Sequence, residues 1–188
     1  MIFEALVKSP EDLVPKRINR APWPAFAMGL PWATIMLASM ATFSPVVASA
    51  PVVPPLAYMM LLAWRMMRPG MLPIWAGLPL GFWDDLYSGQ PFGSGIVLWS
   101  VTMLAMELID ERFLWRGFGQ DWLAACGLMT AYLGLCAAIA GLATGYPLPM
   151  VIVPQVLVSL ALYPVITRVV AALGGEQLAL EFVELLLE

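Results

Sequence analysis

The sequence predicts an all-α, polytopic membrane protein with six transmembrane helices and both termini in the cytoplasm. Three observations carry that prediction. Of the 188 residues, 61% are hydrophobic and only 12% charged, about half the charge of an average soluble domain, and the mean hydropathy is +0.84. Proline and glycine cut the long uncharged runs into helix-sized pieces. All nine basic residues fall on one side of a six-span arrangement.

The first span is placed at Phe26–Ala48 and the second at Pro55–Met67, inside one uncharged run from Ala21 to Trp64. That run is too long for one helix, and Pro45, Pro51, Pro54 and Pro55 break it, because proline removes a backbone donor. The third span, Met71–Tyr87, contains Asp84 and Asp85. The fourth runs from Gly93 to Leu108 or a little beyond. The uncharged run from Trp122 to Ile166 holds the fifth span, Trp122–Thr144, and the start of the sixth, Met150–Ala172, separated by the turn signal Gly145-Tyr146-Pro147-Leu148-Pro149. Lipid offers no partner to backbone polar groups, so these segments are helices. The short alternating segments of a β-barrel are missing.

Sidedness supports the count. Lys8, Lys16, Arg17 and Arg20 precede span one, Arg65 and Arg68 follow span two, Arg112 and Arg116 follow span four, and Arg168 lies near the end of span six. A five-span chain puts the last arginine on the wrong side. The apolar run begins beyond residue 20 and leads directly into a second span, unlike a cleaved signal peptide. The expected organisation is a cytoplasmic segment over 1–20, a six-helix membrane domain over 21–173 and an acidic amphipathic tail over 174–188. In that tail Leu178, Phe182 and Leu185 share one side and Glu181, Glu184 and Glu188 another, which suits a partner-binding helix or a solvated helix end.

The composition also excludes several chemistries. There is no histidine, which removes Ser-His-Asp catalysis, His-ligated zinc and a histidine pH switch. A net charge of −4 argues against nucleic-acid binding. Cys126 and Cys136, on one helix, lie about 15 Å apart, beyond disulfide reach, and are expected to be apolar thiols. No phosphate-binding glycine loop, zinc spacing or nucleophile elbow occurs. No enzyme activity, cofactor or metal is expected.

The most informative segment runs from Gly77 to Gly93. A carboxylate in a membrane span costs about 2.5–3.5 kcal/mol and marks a functional candidate. Asp84 lies about 20 Å along a helix begun at Met71, in the outer part of a core about 30 Å thick. Adjacent residues point about 100° apart, so Asp84 and Asp85 form no face-to-face dyad. Gly81, Asp85 and Gly89 share one face, where small residues admit a neighbouring helix. Three roles stand open for Asp85: capping the turn through amides near Ser88–Gly93, joining helices or a partner, and catalysis or ion coupling. Asp84 is expected to reach the outer interface. Gly89-Gln90-Pro91-Phe92-Gly93 reads as a tight periplasmic turn.

Elsewhere, Glu107, Asp110, Glu111, Arg112 and Arg116 form no strong local ion pair and suit a snorkelling cytoplasmic interface or a partner contact. Ala124, Gly127, Ala131, Gly134, Ala138 and Gly141 make a small-residue stripe for packing within a bundle or a complex. The eight tryptophans are expected mostly as interfacial anchors.

These residues resemble a known family. Arg68-Pro-Gly-Met-Leu-Pro-Ile-Trp, then Gly81-x3-Asp85-Leu-x2-Gly89-x-Pro91-x-Gly93, together with Asn19-Arg20-x-Pro-x-Pro, resemble the MreD family of rod shape-determining membrane proteins across roughly residues 18–172. The acidic tail is not part of the pattern. The resemblance implies a non-enzymatic component of the bacterial inner membrane that supports peptidoglycan synthesis during cell elongation. Its implied partners are an MreC-like bitopic protein, a RodA-like glycosyltransferase, a penicillin-binding transpeptidase, an MreB-like filament and membrane lipid. The implied fold is similar to the substrate-binding component of energy-coupling-factor transporters. The alternative expectation is therefore the substrate-binding component of a vitamin transporter.

Overall fold

The computed structural model describes the backbone of residues 25–41, 53–112, 118–144 and 149–187, and the side chains of 29–41, 53–112, 119–142 and 152–175. Among these residues there are six α-helices and no strand: α1 (Ala25–Ala41), α2 (Leu56–Met67), α3 (Gly77–Tyr87), α4 (Ser94–Arg112), α5 (Phe118–Thr144) and α6 (Pro149–Leu187). A 3-10 turn, Ile74–Ala76, leads into α3. The expected segment over 1–20, the turn around Tyr146 and the acidic face of 178–188 lie outside the residues described.

Two helices contain stretches long and apolar enough to cross a membrane, Gly119–Leu142 in α5 and Ile152–Gly175 in α6, each of 24 residues. The expected second and third spans are shorter than a full crossing. With 12 residues in α2 and 11 in α3, they rise about 18 and 17 Å against a core of about 30 Å. Pro54 and Pro55 set the start of α2, while Pro69, Gly70 and Pro73 separate it from α3.

A helix apolar on all sides belongs in the interior, and α2 is that helix. Every residue from Ala57 to Arg65 is buried, with α2 packed against α1, α5 and α6. Its hub is Tyr58, whose ring stacks on Tyr132 of α5 at 3.9 Å between centroids and meets Trp99 of α4 edge-on. The Tyr58 hydroxyl shares a 3.0 Å hydrogen bond with Thr102 and donates to the Leu128 carbonyl. One phenol thereby ties α2 to α4 and α5.

Two tryptophans expected at the interface are core residues instead. Trp64 and Trp99 are fully buried, and the Trp64 indole donates to Thr34 of α1 at 3.0 Å. Trp75 and Trp122 are exposed, at 61% and 40%. On α4, Val97, Val101, Leu104 and Leu108 are exposed while Leu98, Thr102, Met103 and Met106 turn inward. α6 runs unbroken through Pro154, Pro164 and the Gly174-Gly175 pair, so the chain after 173 continues the sixth helix.

Candidate functional site

The α3–α4 corner brings together most of the residues singled out in the sequence. Gly77 and Gly81, one turn apart, let α3 lie directly on α4. A methyl group at Gly81 would meet the Gly95 carbonyl oxygen at 2.6 Å, and one at Gly77 would meet the Ser100 backbone at 2.9 Å. Gly95 is equally confined: a methyl group there would meet an Asp85 carboxylate oxygen at 2.6 Å. Gly77 and Gly95 join the site without having been selected from the sequence. The Gly77-x3-Gly81 spacing is the signal that marks the first.

Asp85 sits on this same face and is buried. Its Oδ1 accepts the Gly95 amide at 2.7 Å, and its Oδ2 accepts the amides of Gly93 at 2.9 Å and Ile96 at 3.3 Å. These are amides at the start of α4, which have no partner within their own helix. Gly93 stands at the cap position with φ +96° and has no side chain to do the task, so a carboxylate from the preceding helix does it. The negative charge also faces the positive end of the α4 dipole. Of the three roles open for Asp85, the geometry is that of the cap. With both oxygens engaged by amides, it presents no free carboxylate for proton transfer.

Gly89 departs from expectation. α3 ends at Tyr87, and Gly89 lies beyond it with φ +67° and open space around it. It shares no helix face with Gly81 and Asp85; its role is to reverse the chain in a conformation that side chains disfavour. Pro91 supplies the carbonyl that accepts the Ser94 amide and hydroxyl, at 3.0 and 2.7 Å. The turn is thus tied down from both ends.

Asp84 does not reach an outer interface. It is 7% exposed and turned toward α1, where the Ser39 hydroxyl lies beside it. Its neighbour Trp83 donates to the Met36 carbonyl of the same helix at 3.3 Å. The two aspartates therefore diverge, one anchoring α4 and the other facing α1. No cluster of three or more potential metal ligands exists among the described residues.

At the opposite end of the bundle, Arg65 of α2 is buried and pairs with Glu107 and, at 3.3 Å, with Asp110 of α4. The sequence holds no local partner for these acids. Their counter-ion comes from another helix, 42 residues away in the chain. Arg68, next along, donates to the Gly174 carbonyl of α6 at 2.6 Å.

Four of the six residues in the small-residue stripe of α5 are left open by the described residues, while Ala124 and Gly141 are half-buried. Gly127, Ala131, Gly134 and Ala138 are exposed, and nothing lies within 4 Å of a methyl group added at Gly127 or Gly134. The buried residues of α5 are Ala125, Met129, Tyr132 and Leu133, and the helix packs against α6.

In class, this is an all-helical chain with two helices able to cross a membrane, a carboxylate-capped corner and an open small-residue helix face. No family model, curated protein or solved structure matches it.

Proposed function

We propose that this chain is a non-catalytic, multi-pass component of the bacterial inner membrane that serves the cell-elongation complex by binding an MreC-like bitopic partner, as its resemblance to MreD implies. The observation that carries the reading is the open face of α5. Small residues on a lipid-facing helix waste packing contacts unless another helix covers them, and Gly127, Ala131, Gly134 and Ala138 present such a face, with none of the described residues against Gly127 and Gly134. A single-span partner helix fills it. The exposed apolar stripe of α4 supports a lipid-facing surface, and the one-sided basic residues support six spans with both termini inside. The saturated cap at Asp85 supports a scaffold role over proton or ion coupling.

The test is co-purification in detergent with an MreC-like protein. The wild-type chain is expected to retain that partner. Gly127→Leu with Gly134→Leu is expected to release it without lowering the chain's own melting temperature. Retention of the partner by the double variant removes the α5 face from the interface. Recovery of ATPase subunits with tight vitamin binding supports the transporter alternative instead.

A further inference from the structure

A cavity of about 580 Å³ opens between the C-terminal end of α2, the first turns of α5 and the Arg168 region of α6. Its size lies within the roughly 300–1,000 Å³ of small-molecule sites. The α6 wall follows from the sequence: Pro164, Thr167, Arg168 and Ala171 line the cavity, and their helical spacing sets them on one face. Three of these are compact and leave room, and Arg168 is the one long side chain among them. Met66 and Met67 of α2 and Trp122 of α5 supply the rest of an apolar lining.

The other polar side chains of the lining are already engaged. The Tyr163 hydroxyl donates to the Met66 sulfur at 3.4 Å, the Thr167 hydroxyl donates to the Pro164 carbonyl at 2.8 Å, and Asp121 has a partner of its own. Arg168 stands apart. It lies within the apolar stretch Ile152–Gly175, is exposed, and engages no carboxylate among the described residues. A cation in an apolar stretch is costly unless an anion joins it. Arginine matches a phosphate in geometry as well as charge, and basic pockets between helices on the cytoplasmic side suit lipid head groups. The apolar walls beside the guanidinium favour a phosphate that carries acyl chains over a free one.

We propose that this cavity is a phospholipid site, with the lipid phosphate held by Arg168 and the upper acyl chains along Met66, Met67 and Trp122. The phosphate is the recognised group. Phosphatidylglycerol and phosphatidylethanolamine share it, so the site accepts both, and diacylglycerol lacks it. The proposal rests on the membrane reading, with this end of the bundle at the cytoplasmic face, and is independent of the partner.

Native mass spectrometry of the full chain in detergent, titrated with these three lipids carrying the same acyl chains, tests the assignment. Either phospholipid is expected to be retained several-fold better than diacylglycerol. Arg168→Gln is expected to weaken phospholipid binding about ten-fold without lowering the melting temperature, and Arg168→Lys to retain part of the binding. Ala171→Trp fills the cavity and is expected to expel the lipid with Arg168 still in place. Excess inorganic phosphate is expected to leave the bound lipid undisturbed. Equal retention of diacylglycerol by the wild type, unchanged binding in Arg168→Gln, or displacement of the lipid by inorganic phosphate overturns the proposal. Loss of the rod-complex partner alone does not alter these lipid ratios, so the two readings fail separately.

Discussion

The Asp85 carboxylate accepts the amide of Gly95 at 2.7 Å across the α3–α4 corner, so a side chain from one helix does the capping that the next helix cannot do for itself. The glycine at that helix's own cap position, Gly93, has a backbone conformation that side chains rarely adopt. Corner and cap are a single unit: the close approach at Gly81 brings α4 near enough for Asp85 to reach three of its amides.

Replacing Asp85 with alanine strands those amides in a buried site. A hydrogen bond to a charged group contributes about 1.5–3 kcal/mol, and the loss of the whole cap is expected to cost about that much. The expected readout is a melting temperature several degrees lower in detergent, with membrane insertion intact and partner assembly or rod shape weakened. Asp85→Asn keeps one acceptor oxygen and is expected to fall between. An unchanged melting temperature for the alanine variant contradicts the capping role.

The glycines separate into two kinds. Gly81→Ala drives a methyl group into the Gly95 carbonyl, and the three nearest atoms are all backbone. Overpacking of this sort costs about 1–3 kcal/mol. Gly127→Ala and Gly134→Ala meet open space and are expected to be neutral or to stabilise the isolated chain by up to about 1 kcal/mol through helix propensity. Thermal melts of the three variants side by side decide whether the α3–α4 contact is as close as described.

Arg65 holds α2 to α4 through Glu107 and Asp110. Arg65→Ala removes the buried cation that Glu107 and Asp110 share and is expected to destabilise by about 1–3 kcal/mol. Glu107→Gln is expected to cost less, because Asp110 still pairs. A double-mutant cycle between Arg65 and Glu107 measures the coupling directly. A coupling near zero means that the pair contributes position and no stability.

Topology is tested with single cysteines in a chain whose Cys126 and Cys136 are replaced by alanine. Phe92→Cys, at the exposed tip of the α3–α4 turn, is expected to react with an impermeant thiol reagent in intact cells. Arg112→Cys, at the other end of α4, is expected to react only after permeabilisation. Labelling of both in intact cells contradicts the proposed orientation.

Much of this was legible in one sequence because a membrane makes rare residues informative. The long uncharged run in α5 reads directly as a helix able to cross, and the carboxylate pair marks its own segment. The capping role of Asp85 was among the readings that the turn chemistry around Gly89–Gly93 suggested. Other features depended on neighbours that no local pattern names. Asp84 and Asp85 are adjacent and chemically identical, yet one turns to the α4 amides and the other toward Ser39, according to which helix lies on each side. Glu107 and Asp110 looked like interface acids because their counter-ion is Arg65, distant in the chain. Trp64 and Trp99 looked like anchors because tryptophan favours interfaces, whereas Trp99 packs on Tyr58 and Trp64 donates to Thr34 of α1, and both lie in the core.

Composition, uncharged runs and the placement of proline and glycine determined an all-helical chain and its order of helices, because lipid and backbone hydrogen bonding constrain each segment separately. Tertiary structure decided which helix is central, which glycines are contacts and which are open, and which aspartate caps α4. Those outcomes depend on distances between segments, and hydropathy along a single segment is nearly blind to them.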